Sequence, residues 1–292
     1  MDLKKPDLEK TDLKKIVVTG SSGRAGRAVV ADLVAHGYDV TGVDQVRPLQ
    51  DLGAPHLQTD LTDLGETLEA LLNADAVVHL ANIPAPGIFT PGKTFAQNML
   101  INYNVFSAAK DLGLKRVVWA SSETTLGLPF DTPPRYAPVD EAHYPVPESS
   151  YALSKVASET VAEEFARWSG VPFVALRFSN ILGPSEYETF PQTCWSDLHA
   201  RKWNLWGYID ERDVALSCRL GLTAAVQGAD AFIIAAADTV MNRPSRELMA
   251  EVFPGVVVAE LPEFGTLLAI DKARRVLGFE PEHSWRDTVE AG

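Results

Sequence analysis

Tyr151 and Lys155 stand four positions apart in the segment YALSK, within a stretch of helical period, so they share one face of a helix. An ammonium beside a phenol stabilises the phenolate and lowers its pKa, which makes tyrosine usable as a general acid/base near neutral pH. The same lysine can hydrogen-bond a ribose. Ser121 and Ser122 close an apolar run in WASSETTLG. Ligands collect at the carboxyl ends of strands in an open parallel sheet, and a hydroxyl there can hold a reacting oxygen while the tyrosine exchanges its proton. Taken singly, Ser122 would equally be a strand-end cap, and Tyr151 with Lys155 a solvated surface pair.

A second constellation is the segment TGSSGRAG, residues 19–26, between an apolar run and a helical pattern. Gly20 can take a tight turn, Gly23 lets the backbone approach a pyrophosphate, and Gly26 permits close packing of helix on strand. Arg24 and Ala25 open the helix, where free N–H groups meet phosphate charge, so both are expected at the cofactor. Asp44 ends the next apolar run. A carboxylate there hydrogen-bonds both ribose hydroxyls of an adenosine and repels a 2′-phosphate, which favours NAD. Arg24 and Arg47 lie near enough in sequence to offset that repulsion, so NADP stays open. Asp60, in TDLTD, reads alone as a strand-ending turn residue or a helix cap.

The elements that must position these groups follow from period. Apolar runs at 15–20, 39–44, 56–59, 75–80, 115–121, 172–178 and 230–236 alternate with helical patterns at 24–36, 64–73, 93–112, 150–169 and 211–227. That alternation predicts an α/β fold, a Rossmann-type doubly wound parallel sheet. It breaks at 181–208 and again after Ala237. The expected organisation is a dinucleotide-binding domain over 1–180, completed by about 209–237, with 181–208 and 238–292 forming a small substrate-binding lobe. At least two of Trp195, Trp203 and Trp206 should be core. The proline-rich stretch 131–147, between Ser122 and Tyr151, is expected to wrap the site, and NRPSRELMAEVFP reads as a capped amphipathic helix.

The chain has 292 residues, of which 46% are hydrophobic, enough for a large core. A net charge of -13 repels nucleic acid and anionic membranes, so neither is an expected partner. The polar opening MDLKKPDLEKTDLKK lacks the apolar core of a signal peptide, and no apolar stretch is long enough to span a bilayer. Two cysteines, Cys194 and Cys218, form no disulfide framework, which fits the cytoplasm. His79 should be buried and satisfied, and the histidines show no ligand spacing, so no metal is expected.

TGSSGRAG, Asp44, the DL of TDLTD, HLAN, SSETTLG, YALSK and LRFSNILGP occur in one order along residues 15–237. Together they resemble the extended short-chain dehydrogenase/reductase family, the NAD-dependent epimerase/dehydratase group. The resemblance implies that Tyr151 is the acid/base, Lys155 its pKa partner and cofactor ligand, and Ser122 the donor to the substrate oxygen. It implies further that Asp60 and Leu61 flank the adenine and that Leu80 and Ala81 line the cofactor groove. Asn98 would lie near the active site at the cofactor, and Ser179 and Asn180 would face nicotinamide and substrate. A homodimer through helices 93–112 and 150–169 is implied as well.

Family dehydratases place an acidic pair just after the catalytic hydroxyl, where this chain has Glu123 and Thr124, so elimination would lack one group. Both residues are expected beside the substrate. Members acting on nucleotide sugars usually carry an arginine-aspartate step before the next helix; here Ile209 and Asp210 stand there, and Arg212 follows within the helix. A smaller sugar-like alcohol becomes the expected substrate. The readings are a dehydrogenase, an epimerase with the same residues, and a cofactor-binding protein without catalysis.

Overall fold

The structure, a computed structural model, describes residues 13–143 and 145–289. The opening segment 1–12 and the last three residues lie outside them, with whatever the sequence leads one to expect there. Along the chain run β1 (Lys15–Thr19), α1 (Arg24–Ala35), β2 (Asp39–Asp44), β3 (His56–Gln58), α2 (Leu64–Leu71), β4 (Ala76–His79), α3 (Pro91–Asp111) and β5 (Arg116–Ser122). The two-residue β6 (Tyr136–Ala137) precedes the long α4 (Ser150–Ser169). Then follow β7 (Phe173–Phe178), β8 (Ile181–Leu182), α5 (Pro184–Tyr187), α6 (Phe190–Thr193), β9 (Ile209–Asp210) and α7 (Glu211–Thr223). The chain continues through β10 (Ala229–Ile234), α8 (Ser245–Val252), β11 (Val257–Val258) and α9 (Asp271–Leu277).

Seven strands form one sheet in the order β10-β7-β5-β4-β1-β2-β3, and every neighbouring pair is parallel. This is the doubly wound α/β architecture expected from the alternation of patterns. Strand order reverses at β1, so a crevice opens beyond the carboxyl ends of β1 and β4. Strands covered on both faces are apolar throughout rather than alternating, and β4 and β7 are buried at every position. One face carries α1 and α7, with Val29, Leu33, Cys218 and Leu222 at its core. The other carries α2, α3 and α4, packed around Phe106, Trp119, Phe165 and Phe173.

A third apolar cluster joins Leu126, Val139, Tyr187, Trp206, Tyr208, Leu248 and Trp285. Trp206 is fully buried there, and Trp195 packs against the cluster while its Nε1 donates to Val240 O at 2.9 Å. The proline-rich stretch departs from expectation: Ala137 and Val139 are buried in this cluster and β6 pairs with β11, so its middle packs on the cluster instead of wrapping the site. Only its flanks, Leu128, Pro129, Glu148 and Ser149, reach the main cavity.

Two other differences have local causes. The helix expected over 211–227 stops at Thr223 because Ala224 is extended, and the Arg116 guanidinium takes its carbonyl at 2.9 Å. Helix α8 is amphipathic, burying Ser245, Leu248 and Met249, but it starts at Pro244 with no side-chain cap. Among the described residues, no helix is long and apolar enough to cross a membrane. Cys194 and Cys218 are buried and unpaired.

Polar chains tie α3 and α4 to the sheet. His79, fully buried at the end of β4, meets Thr19 Oγ1 through Nδ1 at 2.6 Å and Asn102 Oδ1 through Nε2 at 2.9 Å. The Asn102 amide donates to Ser158 Oγ at 2.7 Å. Further along α4, Glu159 accepts from Ser121 Oγ at 2.5 Å and from both sides of the Arg177 guanidinium at 2.9 and 2.7 Å.

Candidate active site

The carboxyl ends of the central strands open into one cavity of about 1000 Å³. The glycine turn forms one end of it. Gly20 has φ +70°, and a Cβ there would stand 2.8 Å from Ala81 N, so both conformation and space demand glycine. A Cβ on Gly26 would stand 2.0 Å from Gly20 O, which forbids any side chain where α1 crosses the turn. Gly23 begins α1 with no side-chain cap, and Gly23, Arg24, Ala25 and Gly26 line the cavity. An uncapped helix start on a cavity wall fits a phosphate, whose charge the N–H groups would meet.

Asp44 lines the same end, its carboxylate held by Ser22 N and Val46 N, each at 3.1 Å. Arg24 turns away from it to pair with Glu186, with Glu211 at 3.9 Å. Asp60 and Leu61 also line the wall, and Asp60 accepts from Thr62 N at 2.9 Å, while Asp63 is the residue that caps α2. Leu80 and Ala81 stand opposite. These groups fit a dinucleotide: a phosphate cradle, a carboxylate for ribose hydroxyls and an apolar groove between.

Asn98 does not reach the cavity. It is fully buried, accepts from Ile83 N at 2.8 Å and donates to Ile83 O at 3.1 Å. Its amide pins the loop after β4, and Ile83 lines the cavity in its place.

Ser122, Tyr151 and Lys155 meet in the middle of the cavity wall. β5 ends at Ser122, and Ser149 caps α4 by accepting from Ala152 N at 3.1 Å, which sets Tyr151 and Lys155 in its first turns. The Ser122 side chain accepts from Thr124 Oγ1 at 3.0 Å, and its nearness acts to lower the Tyr151 phenol. Burial pushes the phenol up to about 12, against the pull of Ser122. Burial likewise pushes the Lys155 ammonium down to about 7. Lys155 Nζ donates to Ala120 O at 2.8 Å and lies 5.6 Å from the Tyr151 ring centre. The depression of the phenol expected from its lysine neighbour is therefore absent in this geometry, because burial outweighs it.

Glu123, Thr124, Ser179 and Asn180 all line the cavity. Glu123 is buried, and that burial pushes its carboxyl up to about 7. Its partners escaped the sequence reading: the Ser179 hydroxyl donates to it at 2.6 Å and Asn204 Nδ2 at 3.2 Å. Asn204 lies 81 residues away in a short helical turn, and no pattern in the sequence announces it. Trp203, considered as core, is a partly buried cavity wall residue. Arg212, by contrast, clasps Asp210 at 2.8 and 2.7 Å outside the cavity. Among the described residues, no group of three or more His, Cys, Asp or Glu side chains is placed to hold a metal ion.

The profile of the NAD dependent epimerase/dehydratase family matches residues 16–212. The chain is 29% identical to an NAD-dependent glucose-6-phosphate dehydrogenase of Haloferax volcanii, over 59% of this chain and 72% of that one. It is 25% identical to a UDP-glucose 4-epimerase of Corynebacterium glutamicum, over 58% of this chain and only 52% of the epimerase. The fold is shared with a short-chain dehydrogenase/reductase superfamily protein from Agrobacterium tumefaciens solved with bound NAD, at a TM-score of 0.72, 24% identity, and coverage of 93% and 94% of the two chains. With the glycine turn, the Ser–Tyr–Lys set and a profile match across most of its length, the chain belongs to the NAD-dependent epimerase/dehydratase family.

Proposed function

We propose that the chain is an NAD-dependent dehydrogenase acting on a secondary alcohol, or the matching carbonyl, of a small sugar-like substrate. The observation that carries this reading is the meeting of Ser122, Tyr151 and Lys155 on the wall of a cavity whose far end is a phosphate cradle. In the oxidative direction Ser122 and Tyr151 hold the substrate hydroxyl, and Tyr151 Oη takes its proton. Lys155 is assigned to the ribose and to balancing the phenolate charge. NAD, when bound, supplies the hydride acceptor. Asp44, unopposed by the engaged Arg24, supports NAD over NADP.

The same reading assigns 1–180 and 209–237 to the dinucleotide-binding domain and 181–208 with 238–292 to the substrate lobe. The apolar cluster around Tyr187, Trp206 and Trp285 supports that lobe, to which residues 126–139 add themselves. Paired long helices α3 and α4 make the protein a homodimer, and we assign it to the cytoplasm.

Kinship to a UDP-glucose 4-epimerase favours a second reading, in which the same residues invert a sugar carbon. Arg212, tied to Asp210 away from the cavity, weighs against a nucleotide sugar. Cofactor that survives desalting of the purified protein would favour the epimerase.

The deciding experiment follows absorbance of the reduced cofactor with NAD, then NADP, against free sugars, sugar acids and polyols. Stoichiometric reduction of NAD by one substrate class is the expected result. No net reduction with any of them, together with tightly held cofactor, would replace the dehydrogenase by the epimerase.

A further inference from the structure

Glu123 is 3% exposed and yet forms part of the cavity wall beside Ser122. Its Oε2 accepts from the Ser179 hydroxyl at 2.6 Å and its Oε1 from Asn204 Nδ2 at 3.2 Å. These donors come from two segments, the end of β7 and the turn Lys202–Asn204, so the carboxyl is held from both sides of the cavity wall. Among the described residues, no cation forms an ion pair with it. Arg201, whose charge acts on Glu123, donates to Gly207 O at 3.0 Å and lies 5.1 Å over the Trp203 ring. The other titratable groups around it are Tyr151 and Lys155 on α4, and Cys194 beside Arg201.

A carboxyl held by two donors, one on each oxygen, keeps its orientation, and each oxygen retains a lone pair for a further donor. A substrate hydroxyl can supply that donor. A substrate carboxylate or phosphate ester cannot, and it meets the Glu123 charge at close range. We propose that Glu123 selects substrates by charge: it accepts a hydroxyl of an uncharged sugar near the reacting carbon and turns away sugars bearing a carboxylate or phosphate there. Asn204 and Ser179 are its positioning residues. This rests on the reading of the cavity as a sugar site. Burial pushes the Glu123 carboxyl up to about 7, so the selection tightens as pH rises through neutrality and the carboxyl loses its proton.

The test is calorimetric titration of the NADH-loaded full chain with L-arabinose, D-glucuronate and D-glucose 6-phosphate at about pH 5.5 and about pH 8. The wild type should bind arabinose at both, and the two anions about tenfold or more weaker at the higher pH. Glu123→Gln should remove most of that pH dependence; the part that survives belongs to Lys155, which loses its own charge over the same range. Ser179→Ala, which takes away one donor to the carboxylate, should move the midpoint of the anion effect to higher pH, a shift that Lys155 alone would not produce.

Anions bound as tightly as arabinose by the wild type at the higher pH would overturn the proposal, as would a Gln variant with unchanged discrimination. Tighter anion binding by the wild type than by the variant would assign the carboxylate to Arg201 and overturn it equally. If Glu123→Gln fails to fold, the wild-type and Ser179→Ala profiles decide, and anion affinity independent of pH in both counts against it. Arabinose binding to the NADH-loaded chain, with no substrate of the panel reducing NAD in the absorbance assay, would sink the dehydrogenase but leave the charge selection standing. Failure of all three sugars to bind would overturn both.

Discussion

The phenol of Tyr151 is under opposing influences. Burial pushes it up to about 12 and the Glu123 charge acts in the same sense, while Ser122 pulls it down. Lys155, the neighbour best suited to offset burial, is itself pushed down to about 7. Burial thus disfavours each charge separately. A phenolate and an ammonium formed together attract one another, so each charge favours the other. Tyr151→Phe removes the only hydroxyl of that pair and leaves the ring and the cavity shape. Turnover should fall by about 10²–10⁴-fold, the usual worth of a general acid/base. NAD affinity, followed by fluorescence titration, should hold, because the phosphate cradle and Asp44 are untouched. Wild-type turnover in the variant would take Tyr151 off the proton path.

Elements carry those residues, and α4 is held by buried polar contacts as well as by its apolar packing around Phe165. Thr19, His79, Asn102 and Ser158 link β1, β4, α3 and α4 in one buried chain. Burial pushes His79 down to about 3, so the ring is neutral; its Nε2–H donates to Asn102 and its Nδ1 accepts from Thr19. Asn102→Ala would leave His79 Nε2–H and the Ser158 hydroxyl without that partner. A loss of about 1–3 kcal/mol per stranded group is expected in urea unfolding, with reduced turnover as α4 loosens. Unchanged stability would mean that water or a shifted Met99 replaces the amide. Much at this scale was legible in the sequence. The short run 39–44 between turn signals and the helical period over 150–169 were read with the bounds observed for β2 and α4. Gly20 and Gly26 announced their turn because nothing else fits. Partners remote in the chain were illegible. Asn98 belongs to Ile83 and Asn204 to Glu123, and no local period encodes a contact made only after the sheet has closed. The end of α7 was hidden for the same reason, since Arg116, far upstream, decides it.

At the scale of the whole molecule, α3 and α4 lie side by side on one face of the sheet, and their outer surfaces are unusually apolar for a face open to water. Leu100 and Tyr103 on α3 are 45% and 49% exposed, and Leu153 and Trp168 on α4 are 46% and 57% exposed. Ala96, Leu100 and Tyr103 fall at i, i+4 and i+7, so they share one stripe of α3. Tyr103 and Trp168 both set their rings against Phe165, which joins the stripe to α4. A net charge of -13 opposes unspecific association of identical chains, so an apolar face of this extent needs a specific partner surface to be covered. A twofold pairing of the two helices with their mates covers it from both sides, because such an interface is self-complementary. Sedimentation equilibrium should therefore give twice the chain mass of 31.8 kDa. Introducing a charge by Tyr103→Glu should shift the chain toward monomer at the same concentration. Its catalytic groups lie on the opposite end of α4 from Phe165, so cofactor binding should persist in the monomer that forms. A wild-type mass of one chain, at concentrations where an interface of roughly 1,200–2,000 Å² would hold, rules the pairing out.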